Sequence, residues 1–106
     1  MIQDLQKLLD SLNKVWKCGD FSILNHTDDE TGFDLERNDI VIYYDYCSDG
    51  LSDGDKDRLV EWLYDDPNGG LTRVKTFLAQ HGYQEIADND GSGGGLYYGA
   101  TQFRVV

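Results

Sequence analysis

The chain has little of several residue types that often reveal a protein's function. Its 106 residues include one proline, two cysteines and two histidines. Cys18 and Cys47 lack Cys-x-x-Cys spacing and neither is clustered with a histidine, so the cysteines form no metal-ligand motif. We expect two buried thiols in a reducing compartment, with a disulfide as the alternative if the strands that flank them meet.

Long hydrophobic runs are also missing. No apolar stretch approaches the length of about 18 residues that a membrane-spanning helix needs. The N-terminus lacks the succession of basic, apolar and small residues that marks a secretory signal. The sequence therefore predicts a cytoplasmic protein that does not bind membranes.

Motifs of catalysis and cofactor binding are absent as well. Ser92 is not in a Gly-x-Ser-x-Gly elbow, and the glycine-rich segment that follows it fits no phosphate-binding loop. Asp88, Asp90, Ser92 and Gly93 resemble the first half of an EF-hand calcium loop, but its twelfth position is Gly99 and not a glutamate. We expect no catalytic residue, no cofactor and no metal, and a glycine-rich hairpin loop here.

Positive charge is scarce. The 20 Asp and Glu residues outnumber 9 Lys and Arg residues, which gives a formal net charge of -11 at pH 7. Such a charge repels nucleic acid and anionic lipid, so we expect no direct nucleic-acid binding and a basic protein surface as the partner. Hydrophobic residues make up 40% of the chain, and the acids are spread among them. This composition predicts one folded domain over residues 1–106.

Hydrophobic spacing predicts three helices. Apolar residues recur every three or four positions over residues 2–16, which indicates an amphipathic helix that ends near Gly19. The same spacing appears on both sides of the Pro-Asn-Gly-Gly sequence at 67–70, which indicates two short helices joined by a turn. Ser52 is expected to cap the first of this pair, and Gly82 to follow the second.

Alternating and β-branched segments predict the strands. Residues 21–23 and 33–35 alternate on either side of an acidic turn at 27–32, and residues 40–46 form a continuous β-branched and aromatic run. Two more strands are expected over 83–87 and 96–106, with a bulge around Gly99. The predicted class is α+β, an antiparallel sheet covered by helices in the order α-β-β-β-α-α-β-β, with the first three strands in a meander.

Four carboxylates follow one another at four-residue intervals on the first helix of the pair, at Asp53, Asp57, Glu61 and Asp65. An α-helix places such residues on one side at a rise of about 6 Å each. Ser52 and the helix dipole explain acids in the first turn, but not those near the C-terminal end. A solvated surface and a functional anionic row are both open interpretations.

The run from Trp62 to Val74 resembles the corresponding segment of small phage-encoded anti-CRISPR proteins that inhibit the type I-F surveillance complex. The shared features are the tryptophan and tyrosine two positions apart, the proline, the Gly-Leu pair, and the arginine followed by a β-branched residue. The resemblance implies a small sheet backed by two helices and a partner that binds nucleic acid. The family's contact residues lie outside the matching run, so none is transferred to this chain.

These observations predict a non-enzymatic inhibitor that imitates nucleic acid and binds a basic surface of a bacterial defence complex in the host cytoplasm. Tyrosines among the acids would stack with arginines of the partner. An immunity protein that neutralises a basic nuclease toxin, and a calcium-binding module around Asp88 and Asp90, are the alternatives. The residues expected to contact the partner are Asp45, Tyr46, Asp49, Asp53, Asp57, Glu61 and Asp65.

Overall fold

The structure, a computed structural model, describes residues 1–24, 34–90 and 98–106, with Asn89 and Asp90 described by their backbone alone. The elements in chain order are α1 (Ile2–Leu12), β1 (Gly19–Ile23), β2 (Ile40–Tyr46), α2 (Asp53–Val60), a π-helical segment (Glu61–Asp65), α3 (Gly70–Gln80), β3 (Tyr83–Asp90) and β4 (Tyr98–Val105). The predicted α+β class, with helices and an antiparallel sheet, is confirmed.

The four strands form one antiparallel sheet in the order β1-β2-β4-β3. β2 and β4 are central, so the apolar run of β2 is paired on both sides, while β1 and β3 are the two edges. The predicted meander is wrong, because β1 pairs directly with β2 and Leu35 is not in a strand. The predicted turn at 27–32 and Phe33 lie outside the described residues.

The helices cover one face of this sheet. Alternate residues of β2 point towards them, and Tyr44 and Tyr46 are among these buried side chains. Val41, Tyr43 and Asp45 alternate with them and so lie on the opposite face. The core consists of Leu5, Leu9, Leu12, Phe21, Ile40, Ile42, Tyr44, Tyr46, Leu59, Leu63, Leu71, Val74, Leu78 and Phe103.

α1 is shorter than its hydrophobic spacing predicts. It ends at Leu12, and Val15 is 55% exposed and outside the core. Asn13 follows the helix, and its side chain is bonded to the backbone of Phe21 in β1. The chain therefore turns at Asn13 towards the sheet and does not continue the helix to residue 16.

The helix pair begins and joins as expected. The Ser52 hydroxyl accepts a hydrogen bond from the Asp55 N–H at 3.2 Å, which caps α2. The turn after Pro67 is tightly packed, because a Cβ at Gly69 would lie 2.4 Å from the Trp62 carbonyl oxygen. α2 and α3 are thus fixed against each other at Trp62, and Gly82 with φ +84° follows α3 as predicted.

The bulge lies on a different strand from the one predicted. It falls between Glu85 and Ala87 in β3, whereas Gly99 pairs in regular register with both Tyr44 and Asp90. An extra residue in a central strand would disturb two ladders, and the same residue in an edge strand disturbs only one. This difference explains why the irregularity is found at the edge.

Candidate functional site

The four predicted row carboxylates are all exposed. Asp53 and Asp57 belong to α2, and Glu61 and Asp65 begin and end the π segment. Leu59 and the rest of the buried side of this helix pack into the core, so the carboxylates lie on the solvent side. We call Asp53, Asp57, Glu61 and Asp65 the carboxylate row.

The π segment changes the line that the carboxylate row follows. In an α-helix four residues overshoot a full turn by about 40°, so Asp57 and Glu61 drift progressively round the axis from Asp53. The π segment has i to i+5 hydrogen bonds, such as Asp66 N–H to the Glu61 carbonyl at 2.8 Å. Its wider turn makes four residues fall short of a full turn, which brings Asp65 back towards the line of Asp57.

Two cations, Lys56 and Arg58, belong to α2 on either side of Asp57 in the sequence. Arg58 on the flank of α2 forms an ion pair with Asp55, which is outside the row. Within the described residues, none of the four row carboxylates is in an ion pair. Their negative charge is therefore available to a partner.

The structure does not place the other predicted contact residues beside this row. Asp45 is exposed on the face of the sheet opposite the helices, and Asp49 is exposed in the turn after β2. Tyr46 is only 2% exposed and packs in the core against Phe21 and Trp62. Its expected role at the surface is corrected, since strand alternation turns it inwards between two outward-facing residues.

Other tyrosines are also internal. Tyr44 is buried, and its hydroxyl lies 2.6 Å from that of Tyr64. Tyr98 is 44% exposed, and Tyr97 lies outside the described residues. The expectation that tyrosines are interleaved with acids on one surface fails for Tyr44 and Tyr46, because β2 is central and these side chains face the helices.

Burial also changes the ionisation of Tyr46. Its hydroxyl has no hydrogen-bond partner among the described residues. Desolvation, with smaller contributions from Cys18 and Asp20, raises the pKa of Tyr46. The group therefore stays neutral at physiological pH, which fits its packed position in the core.

The sheet register reveals a second acidic feature that the sequence did not. Asp20 in β1 lies directly opposite Asp45 in β2, and both are exposed. The Tyr43 hydroxyl is 3.5 Å from an Asp45 carboxylate oxygen. Like charges directly opposite each other oppose strand pairing. Because these residues are distant in the chain, only the register could have identified this pair.

The most prominent structural polar cluster surrounds Asp39, which sequence reasoning also missed. Asp39 is 1% exposed and accepts hydrogen bonds from Arg104 Nε at 3.0 Å and Gln102 Nε2 at 2.6 Å. Hydrogen bonding from the Arg104 guanidinium lowers the pKa of Asp39 to about 2. This effect outweighs the burial of Asp39, which by itself would raise the pKa. The carboxylate holds the segment before β2 against β4.

Metal-binding geometry is not found in the part of the chain that the structure describes. No three His, Cys, Asp or Glu side chains there are grouped to hold a metal ion. Asp88 lies in β3, where it accepts a hydrogen bond from the Thr101 hydroxyl at 3.3 Å, and residues 88–90 are part of a paired strand. Ser92 and Gly93 lie outside the described residues.

An open groove of about 320 Å³ lies between α1 and α3. Arg73 is the one charged side chain among its lining residues, so it offers no acid-base pair. Its lining residues are Leu8, Pro67, Asn68, Arg73, Thr76, Phe77 and Gln80.

The fold and surface together define a strongly acidic α+β protein with a four-stranded antiparallel sheet and an exposed carboxylate row. None of its described helices combines the length and apolar character needed to cross a membrane. No protein family, no curated protein and no solved structure matches the chain.

Proposed function

We propose that this protein is a non-enzymatic inhibitor that binds a basic, nucleic-acid-binding protein surface through the carboxylate row. The observation that carries the proposal is the exposure of four carboxylates on one solvent-facing side of α2 and the π segment. The formal net charge of -11 adds a long-range attraction to any basic surface.

The spacing of the row supports imitation of a nucleic-acid strand. From Asp53 to Glu61 the row carboxylates rise by about 6 Å each along α2, and only the last step, from Glu61 to Asp65, lies in the π segment. Phosphates along one strand of B-DNA are separated by about 3.4 Å of axial rise, so the row corresponds to about every second phosphate. Arginines and lysines that accept a phosphate backbone can bind carboxylates at this spacing through charge-assisted hydrogen bonds.

The partner we propose is a nucleic-acid-binding complex of bacterial defence. The resemblance of residues 62–74 to type I-F anti-CRISPR proteins makes the type I-F surveillance complex the first partner to test. Trp62 and the turn after Pro67 fix α2 against α3, so this segment supports the helix that carries the carboxylate row.

The proposal is tested with two double variants that change the net charge equally. Asp57→Lys with Glu61→Lys reverses the centre of the row, and Asp20→Lys with Asp45→Lys reverses the pair on the opposite face of the sheet. Binding to the purified surveillance complex is measured by surface plasmon resonance at several salt concentrations. We expect the row variant to associate at least about tenfold more slowly and with a smaller salt dependence.

The sheet-face variant is the matched control. It should bind nearly as the parent does, since Asp20 and Asp45 lie on the sheet face opposite the helices, and it also tests the expectation that Asp45 contacts the partner. Equal losses in both variants would mean that total charge and not the carboxylate row determines binding. Parental binding by the row variant would contradict the proposal, and circular dichroism checks that both variants are folded.

A further inference from the structure

The two cysteines of the chain are brought together at the end of the β1–β2 ladder. Gly19 pairs with Tyr46, and the next position beyond this pair joins Cys18 to Cys47. The Cys47 N–H donates a hydrogen bond to the Cys18 carbonyl at 2.8 Å. Both thiols are free, and the expectation that both are buried is wrong, because Cys18 is half-buried and Cys47 is exposed at the end of the strand pair.

The backbone geometry at this position suits a disulfide. Residues of a hydrogen-bonded antiparallel pair have Cα atoms about 5.5 Å apart, which is within the range that disulfides span. Directly opposed residues of an antiparallel pair have their side chains on the same face of the sheet, and Cys18 packs at the margin of the core. The two thiols therefore share one face at directly opposed positions.

We propose that Cys18 and Cys47 form a thiol–disulfide couple that closes by exchange with a low-molecular-weight disulfide such as oxidised glutathione. This couple is independent of the carboxylate row and of its partner. It is a modification site on the strand pair that holds edge strand β1 to the sheet.

The exchange begins at the exposed thiol. The Cys47 thiolate attacks one sulfur of oxidised glutathione, which forms a mixed disulfide and releases one glutathione thiolate. Cys18 then loses its proton and attacks the Cys47 sulfur, which forms the Cys18–Cys47 bond and releases the second glutathione. The protein is oxidised by two electrons and the glutathione disulfide is reduced to two thiols.

The surroundings favour this order of events. Burial, with a smaller contribution from the neighbouring Cys47, raises the pKa of the Cys18 thiol, so this thiol is the weaker first nucleophile. Once Cys47 carries glutathione, Cys18 needs no diffusion to reach it. Such an exposed disulfide on paired strands is the kind that remains reducible.

The first experiment titrates the wild-type protein with mixtures of reduced and oxidised glutathione and follows its intact mass. We expect the monomer to lose two hydrogens without retaining glutathione, and both cysteines to become resistant to alkylation. The oxidised protein should melt roughly 10 °C higher than the reduced protein, and dithiothreitol should reverse the shift. Retention of both thiols, or linkage only between two chains, would overturn the proposal.

Single serine variants provide the control for mechanism. Cys18→Ser should accumulate a stable mixed disulfide at Cys47, because no second thiol is present to resolve it. Cys47→Ser should react several-fold more slowly, since its remaining thiol is half-buried. Neither variant should show the rise in melting temperature. Rapid loss of glutathione from the Cys18→Ser adduct in the absence of added thiol would contradict a role for Cys18 in resolving it.

Discussion

Asp39 shows how much of this structure depends on one buried carboxylate. Besides Arg104 and Gln102, it accepts a hydrogen bond from the Glu36 N–H at 2.8 Å, and the Asp39 N–H in turn donates to the Glu36 carbonyl. A carboxylate with this many donors strongly favours its ionised form. The chain just before β2 is thereby attached to the central strand β4.

Acid should weaken the protein through this residue. The pKa of Asp39 is lowered from 3.8 to about 2, so its contribution is fully present above about pH 4 and is lost as the pH falls through 2. The expected loss is about 2 kcal/mol of unfolding free energy. Urea unfolding between pH 6 and pH 2 measures how the unfolding free energy of the parent depends on pH. The variant Asp39→Asn should be less stable than the parent at pH 6, and its stability should fall less between pH 6 and pH 2.

Asp34→Asn is the matched control for this measurement. Asp34 accepts hydrogen bonds from Gln102 and Arg104 through its backbone carbonyl, and its carboxylate is the weakest of the charges that raise the pKa of Arg104. Its substitution should leave the stability at pH 6 within about 0.5 kcal/mol of the parent. If Asp34→Asn and Asp39→Asn lost equal stability, general charge around Arg104 and not the hydrogen-bonded pair would be responsible.

At the scale of elements, the edge strand β1 is protected by a side chain. The Asn13 carboxamide accepts a hydrogen bond from the Phe21 N–H at 2.7 Å and donates one to the Phe21 carbonyl at 3.0 Å. One amide group thus occupies the outward-facing backbone groups at the middle of β1, as a neighbouring strand would. Open strand edges are templates for pairing with other chains, so this contact limits self-association.

Removal of this contact should expose the edge. We expect Asn13→Ala to lose about 1 to 3 kcal/mol, because Phe21 loses both partners, and to self-associate at high concentration. Asn13→Asp should be intermediate, since a carboxylate can accept from the Phe21 N–H but cannot donate to its carbonyl. Urea unfolding, amide hydrogen exchange at Phe21 and light scattering make these measurements.

Gln6→Ala is a suitable comparison, because the Gln6 amide bonds only to exposed Asp10 within α1. That variant should remain monomeric and exchange as the parent does at Phe21. Unchanged Phe21 exchange in Asn13→Ala would contradict protection of β1 by Asn13.

At the scale of the whole molecule, electrostatic repulsion opposes the folded state. The formal net charge is -11 in a body with a radius of gyration of 13.5 Å. Asp20 opposite Asp45 and the carboxylate row add local repulsion to this general effect. The Asp39–Arg104 pair is partly buried and is less affected by dissolved ions.

The melting temperature should therefore rise with salt. Between about 10 mM and 150 mM NaCl we expect an increase of a few degrees, because the screening length falls from about 30 Å to about 8 Å. The variant with Asp57→Lys and Glu61→Lys should show a smaller increase in melting temperature, since its net negative charge is smaller in magnitude. Differential scanning calorimetry makes the comparison, and a melting temperature that falls with salt would show that attractive ion pairs dominate.

Local patterns predicted the parts of this fold that depend on local sequence. The helical spacing around Leu59 and Leu71, the cap at Ser52 and the apolar run of β2 all depend on neighbouring residues, and the structure confirms them. The sheet order was missed because it depends on which distant strands pair. The contact between Asp39 and Arg104 could not be predicted for the same reason, since 65 positions separate the two residues.

The candidate site divides in the same way. The exposure of the carboxylate row was predictable, because one helical period places its members on one side. The inward position of Tyr46 and the opposed carboxylates of Asp20 and Asp45 required the strand alternation and the register. No sequence signal predicted the π segment. The sequence therefore could not show that Asp65 is brought back towards the line of Asp57.

The central place of β4 determines when this protein can fold. β4 is made after every other described element, yet it fills the gap between β2 and β3. While the chain is still on the ribosome, the long apolar strand Ile40–Tyr46 has no neighbour on that side. Completion of the sheet therefore waits until β4 emerges, and until then the backbone groups on that side of Ile40–Tyr46 have no strand partner.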